Sequence, residues 1–399
     1  MYSGSNTLPR TGLAALLQQL DLPGEIQLPN GSVIPVAKKD GSPIYRVVFR
    51  SNDALNTPMA ERAVGEAFIK GEIDVEGDLG ALFGARAHLH EKVPLRQKIR
   101  FIYDHIRSAT KMNSQAIVSH YDRGDDLYHI FTDKEFRLYT HGLFSSPTDT
   151  IEDASRHKLD TIWTSLGLKP GMRILDIGGG WGAVTQYFSP KGVHVTTLTV
   201  SPSSARYIQK LIEDRGLSGS VYLQDFLNHR PHVPYDAAVS LGSIEHFPDY
   251  RRFSARVYDV LKPGGRLYLD GSAAVTKYAV SSFTRKYIWP GTHTFMTVQD
   301  VMGEFLLHGF EVGEVICETK DYQFTISEWA RRLDEAKDEV IAGWGEQTYR
   351  IFRIYLWGGA HAFRTNSLQA YHVVAERTSD QGPRPGTLKR IMQSFGKLR

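Results

Sequence analysis

Residues 174–182 read Ile174-Leu175-Asp176-Ile177-Gly178-Gly179-Gly180-Trp181-Gly182, an apolar run that breaks into glycines before a helix-like stretch from Ala183. A short apolar block bounded in this way predicts a buried strand. The glycines after it let the backbone turn tightly and approach a ligand where a Cβ would collide. A helix beginning there adds unpaired N–H groups that suit a polar ligand. Many nucleotide-binding folds share such a strand–turn–helix, so by itself it singles out none of them.

The neighbouring residues narrow the choice. No Gly-Lys-Ser/Thr follows the turn, which argues against a P-loop. A dinucleotide fingerprint carries its acid about 20 residues beyond the glycines. Here that place holds Leu198-Thr199-Val200-Ser201, with no carboxylate. The acid Asp176 stands before the glycines instead, and Gln224-Asp225 follows the third expected strand, where an amide or acid suits the exocyclic amine of adenine. This order resembles a class I S-adenosylmethionine (SAM) methyltransferase. The resemblance implies that Asp176 helps hold the cationic methionine end of SAM and that Gly178, Gly180 and Gly182 line the cofactor. Gly179 and Trp181 are read as packing residues.

Working outward, MRILDIGG, VHVTTLTV, SVYLQD, YDAAVSLG and RLYLDG recur between Gly171 and about Gly271, with helix-like segments between them. That alternation predicts a parallel, Rossmann-like α/β sheet. Upstream, LPNGSVIPV (28–36) carries the Asn-Gly turn of a hairpin, and YRVVFRS alternates as a strand does. A helix is expected from Pro58 to about Ala67, and GEIDVEGDLGALF reads as a strand turning into a short helix. AYHVVAER (370–377) reads as a late strand, and QGPRPG as a linker. The expected division is a small α+β domain over 1–95, a methyltransferase domain with helical insertions capping an acyl pocket over 96–378, and a basic amphipathic tail over 379–399.

Composition sets outer bounds. At 399 residues the chain is long enough for two or three folded units, and with 41% hydrophobic and 23% charged residues it can bury a substantial core. No apolar run approaches the ~20 residues of a membrane-spanning helix, which argues against an integral membrane protein. The first 20 residues lack the basic start and long apolar block of a signal peptide. The single cysteine, Cys317, excludes an internal disulfide and a multi-thiolate metal site, which fits a reducing compartment. No metal is expected. Cys317 lies in the apolar run VGEVICE and is read as an inert core residue. A net charge of +3 is too small to suggest a nucleic-acid partner.

Further segments make the resemblance more specific. They are His120-Tyr121-Asp122-Arg123-Gly124-Asp125-Asp126-Leu127-Tyr128, Arg137-Leu138-Tyr139-Thr140-His141-Gly142-Leu143-Phe144, Ser240-Leu241-Gly242-Ser243-Ile244-Glu245-His246-Phe247, and Asp321-Tyr322 with Tyr355–Arg364 downstream. With LDIGGGWG and LKPGG they resemble the cyclopropane-fatty-acyl-phospholipid synthase family, which includes mycolic acid cyclopropane synthases. The resemblance implies a phospholipid acyl chain with a cis double bond as substrate and SAM as methyl donor, with a bound bicarbonate removing the proton in the ring-forming members. It implies Tyr139 and Thr140 at the SAM carboxylate, Thr199 near the ribose, and Gln224 and Asp225 near the adenine. Glu245 matches the glutamate that holds bicarbonate, and Tyr322 its tyrosine partner. A homodimer is also implied.

The departures bear on the chemistry. His141 stands where the family has cysteine, Asp270 where it has a bicarbonate-binding histidine, Ser272 where it has isoleucine, and Gly359 replaces a late cysteine. Two carboxylates beside an anion site repel by about 4 kcal/mol at 4 Å and an effective dielectric of 20. Bicarbonate is therefore disfavoured unless a cation such as protonated His141 compensates. Glu245, Tyr322, His141 and Asp270 are expected around the reacting centre, with a carboxylate or imidazole as general base. The preferred product is a methylene-branched, methyl-branched or methylated-diene chain. A cyclopropane former with tolerated variants and a catalytically inert relative remain as alternatives, as do a methyltransferase of a soluble natural product and a SAM-binding lipid carrier.

Aromatic residues crowd the region after 280: Phe283, Tyr287, Trp289, Phe295, Phe305, Phe310, Tyr322, Phe324 and Trp329. They suit either an acyl tunnel or ordinary packing, and His293 and Met296 either substrate contact or a surface loop. Basic residues Lys92, Arg96, Lys98, Arg100, Arg107 and Lys111, and the amphipathic tail 388–399, suit an anionic membrane surface. The expected location is cytoplasmic, at the inner face of the cell membrane.

Overall fold

The Asp176 strand is β5 (Arg173–Ile177), and it lies in the middle of a seven-stranded sheet. The protein is described by a computed structural model covering residues 13–18, 22–36, 42–84, 125–289 and 293–378. Four more runs expected as strands form β6 (His194–Thr199), β7 (Gly219–Leu223), β8 (Tyr235–Leu241) and β9 (Leu261–Ala273). All five are mutually parallel where they pair. β10 (Phe310–Cys317) and the late strand β11 (Gln369–Arg377) complete the sheet in the order β10-β11-β9-β8-β5-β6-β7, with β11 antiparallel to both neighbours. The strand order reverses at β5, between β8 and β6. In open α/β sheets ligands bind outside the carboxyl ends of the strands at such a point.

Both faces of this sheet are covered, as a parallel sheet requires. Leu175, Ile177, Leu198, Leu267 and Leu269 pack on one side with Phe253, Val257 and Phe305. Ile174, Val195, Ala237, Val239 and Tyr268 pack on the other with Leu159, Ile162 and Leu166. The alternation along β5, with Ile174 on one face and Leu175 on the other, is the two-residue period of a strand.

The chain divides into two compact units. The sheet belongs to the described parts of His105–Val280, Trp289–Thr325 and Asn366–Arg399. The other unit comprises the described parts of Met1–Asp104, Ser281–Ile288 and Ile326–Thr365. It contains a sheet of order β2-β1-β3-β4, from β1 (Gly24–Gln27), β2 (Val33–Pro35), β3 (Tyr45–Phe49) and β4 (Ile73–Gly77). The expected hairpin is β1–β2, antiparallel, with Gly31 at φ +84° in its Asn-Gly turn. The expected helix runs Glu61–Ile69, and β4 leads into a short helix at Leu79–Leu82. A helix at Glu346–Arg364 contributes Arg350, which pairs with Asp74 at 2.9 Å.

Two readings are corrected. Cys317 is exposed, because it ends the edge strand β10 with its outer side uncovered. Met296 is fully buried in the sheet core, and its N–H donates to the Ser272 carbonyl, so it is no surface-loop residue. No helix of the described residues is long and apolar enough to cross a membrane. The basic residues between 92 and 111, the tail 379–399 and His120–Gly124 lie outside the described residues.

Candidate active site

The carboxyl ends of β5, β6 and β7 carry the residues expected to meet SAM. Gly178, Gly180 and Gly182 all have positive φ, at +84°, +52° and +83°, which side chains rarely tolerate. Gly179 has a different reason to be glycine: a Cβ there would lie 2.0 Å from Thr197 Cγ2. Trp181 is buried, edge-on to the His129 and Tyr207 rings. Both observations support the packing reading of these two residues. Thr199 ends β6, and its hydroxyl accepts the Ser201 N–H at 3.1 Å. The Gln224 N–H donates to the Thr199 carbonyl at 2.8 Å, and the Asp225 carboxylate caps the turn at Phe226–Asn228.

These residues fit a cationic cofactor on chemical grounds. Asp176 is buried and accepts the Thr197 hydroxyl at 3.3 Å. Burial pushes its carboxyl up to about 7, against the pull of that hydrogen bond. A nearby ammonium or sulfonium restores the charged form. The position of a Gly180 Cβ meets nothing within 4 Å, which leaves the turn open.

Tyr139, Thr140 and His141 are fixed from both sides. The Asp133 carboxylate accepts the N–H groups of Glu135, Phe136 and Leu138 at 3.1, 2.6 and 2.6 Å, organising the turn that leads in. Downstream, the Gly142 N–H donates to Thr325 Oγ1 at 3.0 Å and the Phe144 N–H to Asp321 Oδ1 at 2.8 Å. Both acceptors lie in the first turns of the helix Thr319–Glu335. Tyr322, between them, stacks on the His141 ring at 4.8 Å. The Thr140 hydroxyl faces Asp270 at 3.3 Å, and Tyr139 is edge-on to Tyr128 at 5.0 Å.

Sequence reasoning expected an uncompensated pair of carboxylates, or His141 as the balancing cation. The structure supplies Lys158. Its Nζ lies 2.5 Å from Asp270 Oδ2, 2.9 Å from His141 Nε2 and 3.5 Å from Glu318 Oε2, and its side chain is fully buried. Asp270 also accepts the Gly242 N–H at 2.6 Å. His141 Nε2 is 2.6 Å from Glu318 Oε2, and His372 Nδ1 is 2.6 Å from Glu318 Oε1. Burial works against ionisation of Glu318, yet Lys158 and the two histidines hold its carboxyl well below the usual carboxylate range.

Lys158, Glu318 and His372 were not singled out from the sequence. Lys158 carried a signal: it falls among Ile151, Ala154, Leu159, Ile162 and Leu166 on the buried stripe of the helix Ile151–Leu166. A lysine at core spacing needs a buried partner. A capping box at Thr150 and Asp153 starts this helix, and Gly167 at φ +60° ends it.

Glu245 differs from this saturated cluster. Its Oε1 accepts both the N–H and the hydroxyl of Ser272 at 2.7 Å. Its buried Oε2 meets no hydrogen-bond partner among the described residues. Burial pushes the carboxyl up to about 7, opposed by Ser272 and reinforced by the charge of Asp270. Gly271 makes the room, since a Cβ there would stand 3.3 Å from both Glu245 oxygens and 2.6 Å from Ile244 Cγ2. An aromatic group adjoins it. The Glu245 carbonyl accepts the Thr294 N–H, and next to these residues the rings of His246, Trp289, His293 and Phe295 pack in sequence at 4.9–5.9 Å. Burial lowers the His246 ring to about 4, so it is neutral near pH 7. Phe305 and Phe310, by contrast, are plain core residues.

The fold and the glycine turn define a class I SAM-dependent methyltransferase. The model of the mycolic acid cyclopropane synthetase family matches residues 108–373, and the chain belongs to that family. It is 32% identical over 276 residues to the cyclopropane-fatty-acyl-phospholipid synthase of Escherichia coli (strain K12), covering 66% of this chain and 68% of that protein. It is 28% identical over 285 residues to a probable fatty acid methyltransferase of Mycobacterium tuberculosis, a match spanning 68% of this chain and 64% of that relative. The crystal structure of mycolic acid cyclopropane synthase CmaA1 complexed with SAH and CTAB superposes with a TM-score of 0.62 at 26% identity, covering 66% of this chain and 98% of that one.

Proposed function

We propose that the protein methylates a carbon of the double bond in an unsaturated acyl chain of a membrane phospholipid and does not close a cyclopropane ring. One observation carries this reading: His141 and Asp270, at the two positions where the family resemblance implies cysteine and histidine, are joined through Lys158 into a compensated charge cluster, and the charge of Asp270 acts on Glu245. Asp270 and Glu318 are balanced by Lys158 with His141 and His372. With Lys158 engaged by Asp270 and Glu318, this cluster leaves no unpaired cation to hold a further anion.

When bound, SAM supplies an electrophilic methyl group on a sulfonium. The alkene π electrons form the new carbon–carbon bond as the carbon–sulfur bond breaks, which leaves a cation on the neighbouring substrate carbon. The neutral His246, next to Glu245 in sequence, adds no repulsion to that cation. Glu245 Oε2 is the general base. A carboxyl titrating near 7 suits proton removal at neutral pH. After a hydride shift the broken C–H bond leaves its electron pair in a new double bond, so the product is an alkene bearing an extra carbon.

Mass spectrometry and proton NMR of lipids from cells expressing the chain test the reading. A mass gain of one methylene unit with vinylidene or allylic-methyl protons supports it; high-field cyclopropyl protons refute it. Glu245 and Tyr322 match the glutamate and tyrosine that the family resemblance implies beside bicarbonate, which favours ring closure as the second reading. The substrate is presented at the inner face of the membrane. Retention on anionic vesicles separates this from a soluble-substrate enzyme, and sedimentation tests for the homodimer.

A further inference from the structure

Each methylation of an alkene with loss of a proton leaves one proton at the buried Glu245. The family resemblance implies a bound bicarbonate in the ring-forming members, a diffusible base that would carry the proton away. Given the proposed function, on which this inference rests, a site without that base needs another exit.

A continuous line of titratable groups runs from Asp270 to the surface. Lys158 Nζ bridges Asp270 Oδ2 at 2.5 Å and His141 Nε2 at 2.9 Å. His141 Nε2 is 2.6 Å from Glu318 Oε2, so this one nitrogen stands against both a donor and an acceptor. A proton in that triangle is shared between the two nitrogens, and Glu318, held ionised, takes it only in transit to His372. Glu318 then reaches His372 through its other oxygen at 2.6 Å. The far ring nitrogen of His372 lies 3.4 Å from Glu314 Oε2. Glu314 sits on the edge strand β10 with its side chain 46% exposed, whereas the side chains of the inner groups are at most 5% exposed. Tyr268 stacks on His372 at 4.8 Å. At the inner end, Glu245 is held by Ser272 and pressed against Gly271, the two residues that follow Asp270 on β9.

We propose that Asp270, Lys158, His141, Glu318, His372 and Glu314 form a proton exit that drains the Glu245 side of the site to solvent at the β10 edge. The proton passes from group to group, with no change of oxidation state and no co-reactant beyond solvent. A cluster serving only to neutralise buried charge would have no need of the His372–Glu314 step, which leads away from the site to the surface.

The test compares wild-type protein with His372→Gln and Glu314→Gln, using SAM and vesicles of dioleoyl phosphatidylglycerol. Rapid quenching measures first-turnover S-adenosylhomocysteine separately from the steady-state rate. His372→Gln is expected to keep the first-turnover amplitude and to lose about tenfold or more in steady-state rate, with imidazole restoring the loss. Glu314→Gln, at an exposed position, is expected to slow turnover as buffer concentration falls and to match wild type in strong buffer. The proposal is overturned if His372→Gln turns over at the wild-type rate, or if it loses both phases equally and imidazole restores neither. Should His372→Gln fail to fold, Glu314→Gln decides, and a rate independent of buffer overturns the exit. Absence of methylated lipid with the wild-type protein would refute the proposed function, a result distinct from either of these.

Discussion

Lys158 Nζ lies 2.5 Å from Asp270 Oδ2, and both side chains are fully withdrawn from solvent. Removing one member of a buried ion pair leaves an uncompensated charge and costs about 3–5 kcal/mol. Lys158→Met is therefore expected to lower the unfolding free energy by that amount in urea titration. The double variant Lys158→Met/Asp270→Asn should lose less than the two single losses combined, because it removes the stranded charge as well as the cation.

Turnover is expected to be the same in carbon-dioxide-free buffer and in buffer supplemented with bicarbonate. Any rise with bicarbonate, measured as label transferred from SAM to lipid, would show that the site admits the anion and would return the enzyme to ring closure.

Glu245→Gln removes the base without changing the shape of the side chain. Turnover is expected to fall by about 10²-fold or more, the range for a lost general base, while SAM binding measured by calorimetry is unchanged. In the wild-type protein the acid limb of the rate profile should have its midpoint near pH 7, because the base must be unprotonated and burial has pushed its carboxyl up to about 7.

The same shift governs stability with the opposite sign. The folded pKa is raised above the unfolded value of ~4.3, so the fold favours the neutral carboxyl. Its contribution is intact below the unfolded pKa and is lost as pH rises through about 7. Glu245→Gln is therefore expected to melt higher than wild type at pH 8, by up to about 3 kcal/mol of stability, with a much smaller gain at pH 4. Equal differences at the two pH values would show that burial does not tune this group.

Asp270→Asn keeps the contact with the Gly242 N–H but removes the charge facing Lys158. It is expected to lower turnover by at least about tenfold. A wild-type rate in single-turnover and steady-state assays would remove Asp270 from both the chemistry and the proton exit.

Much of the sheet was legible because its determinants are local. The runs at β5 to β9 are short, apolar and bounded by Gly, Pro or Asp, and the Asn-Gly turn of β1–β2 carries its own signal. Glu245, His141, Asp270 and Tyr322 were legible through family resemblance, which gives positions without partners. Lys158 was not, because its partner lies on β9, more than a hundred residues away, and only the crossing of the helix Ile151–Leu166 with that strand joins them. The grouping of Ser281–Ile288 and Ile326–Thr365 with the N-terminal unit was equally hidden, since a linear reading assigns segments to their neighbours in sequence. Cys317 was misjudged because an apolar run reads as core whether its strand lies inside a sheet or at its rim.

That rim thiol has a practical consequence. Cys317 is the chain's single cysteine and adjoins Glu318 in sequence, so a maleimide-linked fluorophore would attach at one point without mutagenesis. Its emission would report, in real time and in the unaltered polypeptide, whether the charge lattice behind it rearranges as a lipid docks.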